Sequence, residues 1–298
     1  MTSTSAAIQL NYSSLPRVWL SYPRIFFGRR PAAEDVTDLP HISANVVKVP
    51  FAAARIRRFA DVCGYTASGS VPMSYPHILA MPLHLAIFAH PRFPLPPTGL
   101  IHVTNRIEQS GALRAGMQVE LQVAACNYRP LDAGLAFDVN TDMTSGGTSV
   151  WRETCCFMSR WTRANASGVR PPRPPKAPKD AAVLVEREVT LRTAWDYARV
   201  SVDFNPIHLS EGAARRLGLR GAIMHGMWSL AYAMAAPPVP ALNGEGVLET
   251  EFLTPVQLPG KVTVKQWVVE GRTHRALCDV RTGRVHMYAR WGRTANQA

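Results

Sequence analysis

The chain is 298 residues long, carries a formal charge of +12 and is 47% hydrophobic, with five cysteines. That length admits one large domain or two ordinary ones, and the composition excludes disordered and fibrous classes. The cysteines (Cys63, Cys126, Cys155, Cys156, Cys278) are odd in number and form no C-x-x-C pair, so they read as thiols of a reducing, cytoplasmic compartment and not as a disulfide frame or zinc site. No apolar run reaches the ~18 residues of a membrane span, and Met1-Thr-Ser-Thr-Ser lacks the basic start and apolar block of a signal peptide. The positive charge invites a nucleic acid, but the arginines are scattered and no aromatic-plus-basic motif accompanies them; no nucleic acid is expected. A phosphorylated substrate handle would use the same field.

In chain order, residues 1–45 show little period and read as loop. From Val49 to Cys63 the apolar residues Phe51, Ala52, Ile56, Phe59, Ala60 and Cys63 fall at three- and four-residue steps, an amphipathic helix stopped by Gly64. Tyr75–Ala89 is nearly all apolar, with Pro82 placed to kink or divide a helix. The spacing of His77, His84 and His90 is not that of a metal site, so they read as buried or rim histidines. Beyond Gly99 the period falls towards two, giving strands at Leu100–Glu108, Met117–Cys126, Leu135–Thr141 and Ser149–Trp161. Ser145-Gly146-Gly147 is a hairpin turn and not a phosphate loop, since neither a Lys-Ser/Thr nor a helix follows it.

Proline-rich residues 169–180 read as a stiff linker between two halves. After it come an extended run at Ala182–Val189 and a helix at Leu191–Val200 with Thr190 as N-cap and Leu191, Ala194, Trp195 and Ala198 along one face. A turn at Asp203–His208 leads to a helix at Glu211–Leu217 capped by Ser210. Gly221–Gly226 then feeds an apolar helix that ends near Ala236, which its composition says is wrapped by sheet. Strands return at Gly246–Thr254, Lys261–Val269, His274–Val280 and Arg284–Trp291. Phe59-Ala60 aligns with Tyr197-Ala198, and Ile78–Phe88 with Ile223–Ala233, so the chain is an internal duplication. The expected domains are 1–168, the linker 169–180, and 181–298.

Asp203 and His208 form a carboxylate–imidazole pair in one rigid segment. A histidine near pKa ~6.5 can take a proton at neutral pH, and an adjacent acid can orient it or share the activation of a water. Asn205 can hold the turn through local backbone bonds. At the entry to the apolar helix, first-turn N–H groups lack intrahelical partners, and Gly226 lets a ligand approach closely or permits tight packing. For His225 a structural role is favoured. The loop at Gly64–Tyr75 of the first copy has no such acid and imidazole.

Tyr197-Ala-x-x-Ser201-x-Asp203-Phe-Asn205-Pro206-Ile-His208, with Ile223-x-His225-Gly226-Met227 downstream, resembles the hydratase-2 motif of the MaoC-like dehydratases, the (R)-specific enoyl-CoA hydratases. The resemblance covers residues 181–298, and the first copy looks like the degenerate half of two-copy members. It implies an α+β double hotdog, two helix-plus-antiparallel-sheet repeats packed side by side. It implies Asp203 and His208 as catalytic residues and the Gly226 N–H as oxyanion donor, with Ser201, Asn205 and His225 binding substrate or supporting the turn. The implied reaction is reversible hydration of trans-2-enoyl thioesters to (R)-3-hydroxyacyl thioesters in fatty acid metabolism, with no metal, flavin or nicotinamide. Substrates would be thioesters of CoA or of acyl-carrier protein, and a homodimer is admitted. A hotdog thioesterase and a non-catalytic acyl-thioester binder are the alternatives. The family pattern usually has Gly before the Asp; here stands Val202.

Overall fold

The computed structural model describes residues 7–29, 39–66, 71–131, 134–159, 177–238 and 245–292. In chain order its elements are β1 (Ile8–Tyr12), α1 (Tyr22–Phe27), β2 (Ile42–Pro50), α2 (Ala53–Cys63), α3 (Tyr75–Ala89), β3 (Ile101–Ser110), β4 (Gln118–Leu131), β5 (Gly134–Ser145), β6 (Thr148–Ser159), β7 (Ala182–Val189), α4 (Leu191–Ser201), α5 (Pro206–Leu209), α6 (Glu211–Arg216), α7 (Gly226–Ala235), β8 (Glu245–Phe252), β9 (Gly260–Val269), β10 (Arg272–Asp279) and β11 (Val285–Gly292). Contacts gather them into two units: Met1–Pro50, Leu79–Asn105 and Met117–Arg173 in one, Phe51–Ile78, Arg106–Gly116 and Pro174–Ala298 in the other. The division passes through α3 and β3, and α2 falls in the unit that holds the C-terminal repeat.

In the first unit β1 pairs parallel with β2, and β2, β4, β5 and β6 continue antiparallel. Gly146 and Gly147, at φ 58° and 80°, turn β5 into β6. Left-handed values at both positions match the twist of a two-residue hairpin, as the sequence suggests. α3 is buried against this sheet: Phe88 meets Phe137 and Phe157 at centroid distances of 6.3 and 5.6 Å, and His84 Nε2 lies 3.2 Å from Thr141 Oγ1. Pro82 sits inside α3 without dividing it. Its lost backbone bond is outweighed where the helix is packed on nearly every side. The loop expected over residues 1–45 is corrected: β1, α1 and the start of β2 lie there. These pieces are too short for a period to show, and tertiary contacts hold them; Ile25 of α1 packs on Leu85 and Ala89.

In the second unit the strand order is β8-β11-β10-β9-β7, antiparallel throughout. α7 lies against β10 and β11, and its residues Met227–Ala235 are buried. α2 packs on α4, with the Phe59 and Tyr197 rings 6.4 Å apart. The face expected for α4 is partly wrong: Ala194 and Ala198 are buried, but so are Tyr197 and Ser201, while Leu191 and Trp195 are 37% and 38% exposed. The aromatic contact with Phe59 turns the helix towards Tyr197. Of the expected linker, residues 169–176 lie outside the described residues. Ala177 and Ala181 at its end pack against Trp267, Ala276, Cys278 and Tyr288.

The end of α7 is held by Arg275 of β10, which is fully buried. Its guanidinium donates to the carbonyls of Ala233 (2.5 Å), Met234 (3.2 Å) and Pro238 (2.7 Å), and its Nε donates to Gln266 (2.9 Å). A helix C-terminus presents unpaired carbonyls and partial negative charge, so carbonyl dipoles compensate the buried cation. Burial holds its pKa down to about 10, still a cation at neutral pH. Arg275→Met leaves those carbonyls unpaired and is expected to lose about 3 kcal/mol of stability in a denaturant titration; a loss below ~1 kcal/mol would mean that solvent replaces the clamp.

Candidate active site

α4 starts at a capping box, Thr190 with Thr193, and ends at Val202, whose φ of 57° and ψ of 20° are left-handed. A β-branched residue rarely adopts that conformation, which glycine enters freely. The left-handed residue turns the chain so that Ser201 Oγ accepts the Asp203 N–H at 3.3 Å. Asp203 Oδ1 in turn accepts the Asn205 N–H at 3.2 Å, and Asn205 Oδ1 accepts the Ile207 N–H at 3.4 Å. The segment expected as one turn is therefore a turn only to Asn205, which caps α5 with Pro206 in its first position. His208 stands on that short helix.

Ile223 exchanges both backbone groups with α5. Its N–H donates to the Ile207 carbonyl at 3.0 Å, and its carbonyl lies 2.9 Å from His208 Nδ1. A carbonyl can only accept, so Nδ1 carries the proton and Nε2 keeps its lone pair. Nε2 lies 4.0 Å from Asp203 Oδ2. That is too long for a direct hydrogen bond and suits one bridging water. His225 Nε2 donates to the Asp203 carbonyl at 3.0 Å, and its ring stacks on His208 with centroids 3.8 Å apart. The Tyr197 ring lies 5.0 Å from the His225 ring.

Gly226 opens α7. Its N-cap, His225, makes no side-chain cap bond, so the N–H groups of this first turn are left without that usual acceptor. A Cβ on Gly226 would sit 3.2 Å from two carbons of the Phe252 ring. Packing alone thus accounts for a glycine here, and the bare backbone it leaves is part-exposed beside His225.

The charges follow from burial and neighbours. Burial alone would raise Asp203; His225, His208, the Asn205 N–H and His77 outweigh it and hold the carboxyl below its usual range. Burial lowers His208 below the ordinary imidazole value of 6.5 against the pull of Asp203 and the Ile223 carbonyl. Burial, and next the proximity of His208, bring His225 down to about 3. At neutral pH the site therefore holds a carboxylate and two neutral imidazoles. His225 Nδ1 is buried without a hydrogen-bond partner among the described residues. One ligand atom each from Asp203, His208 and His225 lies within 4.8 Å of the others, a grouping that could hold a water or a divalent cation.

All six residues singled out in the sequence sit in this unit, with Ser201, Asn205 and His225 bonded into the framework around Asp203 and His208. Sequence reasoning gives no site role to the Ile223 carbonyl or the Phe252 ring, and places His77 only as a buried or rim histidine, which it is. A carbonyl partner leaves no mark in residue identity, and Tyr197 belongs to the motif without its type announcing a contact with His225. Val202→Gly should relieve the left-handed strain and raise stability by up to about 1 kcal/mol, read as a higher Tm; a fall in Tm would show that the Val side chain contributes more than the strain removes.

The MaoC like domain family matches residues 173–288. The chain is 31% identical to 3-hydroxyacyl-thioester dehydratase X of Mycobacterium tuberculosis over 248 residues, 82% of this chain and 86% of that protein. The crystal structure of HtdX of Mycobacterium tuberculosis superposes with a TM-score of 0.73 at 25% identity, covering 85% of this chain and 100% of that one. A MaoC-like dehydratase from Phytophthora capsici shares the fold, with a TM-score of 0.70 at 17% identity over 87% of this chain and 96% of its own.

Proposed function

The chain belongs to the MaoC-like dehydratases, with their double hotdog α+β fold, and we propose that it is a hydro-lyase that interconverts trans-2-enoyl and (R)-3-hydroxyacyl thioesters. The observation that carries this reading is the 4.0 Å gap between the ionised Asp203 Oδ2 and the unprotonated His208 Nε2. Two acceptors at that spacing can each take a hydrogen bond from one water, leaving a lone pair of its oxygen aimed away from them.

The water oxygen adds to C3 of the enoyl group as the pair removes one of its protons. The C2–C3 π electrons move to C2 and onto the thioester oxygen, giving an enolate. The Gly226 N–H, at the uncapped start of α7, donates to that oxygen as its charge grows. The proton held by Asp203 and His208 then passes to C2, so atoms and charge balance and dehydration is the reverse path. His225 holds the Asp203 carbonyl, and Ser201 and Asn205 hold the turn. The chain's own groups supply every proton and donor in this sequence, so we assign the Asp203–His208–His225 grouping to water and not to a cation.

Free thioester handles are CoA or a carrier's pantetheine. No helix among the described residues is long and apolar enough to cross a membrane. The five cysteines are all free, in keeping with a cytoplasmic setting.

Asp203→Asn and His208→Ala should each lower water addition to crotonyl-CoA by roughly 10²–10⁴-fold in a spectrophotometric assay while the circular dichroism stays that of the parent. Wild-type turnover in both variants would remove the assignment, and release of free thiol from acyl-CoA would point to a thioesterase instead. Because the reaction needs neutral His208 and burial lowers its pKa, the decline of kcat/KM on acidification should be centred below 6.5. A decline centred above 6.5 would contradict a buried neutral base. Activity should also survive exhaustive chelation; its loss, restored by a divalent ion, would hand the grouping to a metal.

A further inference from the structure

α2 and α4 lie against each other through Phe59 and Tyr197, and their solvent faces differ from those of ordinary surface helices. On α4 the exposed side carries Leu191 and Trp195 in successive turns, bordered by Arg192 and Arg199. The Arg199 guanidinium lies 5.8 Å from the Trp195 ring centre. An exposed Trp with an Arg over it is the composition of a protein-binding hot spot. Sequence periodicity alone assigns Leu191 and Trp195 to the core, so the fold leaves two core-type residues in solvent.

On α2 the exposed residues include Arg57 and Arg58, with Arg55 half-buried. Among the described residues none of the three makes an ion pair or side-chain hydrogen bond. They occupy the N-terminal half of an 11-residue helix that has no acidic residue in its first turn. Arg55, in the first turn, opposes the helix dipole, and Arg57 and Arg58 lie beyond its reach. The two helices carry five arginines against two acids, Asp61 and Asp196, and Asp196 is shared by Arg192 and Arg199. The outcome is an apolar strip, Leu191 and Trp195, on a pair of packed helices with an excess of positive charge.

This strip leads to the chemistry. α4 has 11 residues, so it is ~16 Å long, and its C-terminal end is the Val202–Asp203 turn itself. A partner seated on α4 would stand one helix length from the water-binding pair.

We propose that the solvent faces of α2 and α4 dock an acidic acyl-carrier protein, which delivers its pantetheine-bound enoyl or 3-hydroxyacyl chain to Asp203 and His208. The inference rests on the hydro-lyase reading and adds the form in which the thioester arrives. A carrier protein fits better than free CoA because phosphates need only the arginines, whereas Leu191 and Trp195 need an apolar protein surface. Charge complementarity steers the encounter, and the Trp supplies the buried contact.

The experiment compares crotonyl-CoA with the crotonyl thioester of a type II acyl carrier protein on the full chain and on two variants, R57E/R58E and Trp195→Ser. Positions 57 and 58 are exposed and glutamate is as good a helix former as arginine, so the first variant should fold as well as the parent. Activity of the parent on crotonyl-CoA tests the underlying reaction by itself. The docking proposal expects kcat/KM for the carrier-bound substrate to fall about tenfold or more through KM in both variants, with crotonyl-CoA held within about twofold. It also expects the carrier reaction of the parent to slow with added salt and that of R57E/R58E to lose this dependence. Unchanged carrier kinetics would overturn it. So would equal losses on both substrates, which would make the patch a general phosphate site. A shift from dimer to monomer in Trp195→Ser with carrier kinetics intact would assign the strip to a second copy of this chain.

Discussion

One hydrogen bond decides what the site can do: the Nδ1–H of His208 donated to the carbonyl of Ile223. It fixes the tautomer, so the lone pair of Nε2 faces Asp203. It is one half of a reciprocal link, because the Ile223 N–H returns to the Ile207 carbonyl beside it. The strand-like approach to α7 is thereby tied to α5, and the helix that starts at Gly226 is placed relative to His208. Met224 N–H on the Val256 carbonyl anchors the same segment to the sheet side. His208, Asp203 and the uncapped helix start are held in one frame by side-chain bonds to backbone groups and by the backbone bonds of Ile223 and Met224.

The second repeat does not build this frame alone. α2 and the first turn of α3 belong to the same contact unit as the C-terminal repeat. An aromatic series runs from Tyr75 through Phe59 and Tyr197 to His225 and His208, with centroid separations of 5.6, 6.4, 5.0 and 3.8 Å. Such contacts add dispersion and exclude water from the back of the imidazoles. That exclusion is the cause of the depressed histidine values, and it keeps a neutral base opposite an ionised acid. α2 and the first turn of α3, from the copy without an acid–imidazole turn, thus stand behind the imidazoles of the other copy.

Much of this was legible in the sequence because period and capping speak locally. The strands after Gly99, the start of α4 at Thr190 and the apolar α7 follow from spacing and cap residues. β1 and α1 were not legible, since five- and six-residue elements leave too few apolar positions for a period. The face of α4 was misread because it carries apolar residues on two sides, and only the Phe59 ring of another helix selects Tyr197 over Trp195. The site residues were visible through the D-x-N-P-x-H spacing, but their geometry was not. Val202 hides a left-handed backbone behind a residue that normally avoids it, and the partners of His208 and His225 are carbonyls whose side chains say nothing of the bond.

The most direct test of the account is nitrogen-15 NMR of the histidines in the folded protein at neutral pH, with His208 assigned by its loss in His208→Gln. A neutral ring with the proton on Nδ1 and an unprotonated Nε2, its titration midpoint below 6.5, is the expected result. A His208 ring protonated on Nε2, or charged at neutral pH, would contradict it, for then no lone pair would face the acid and no water could be deprotonated there.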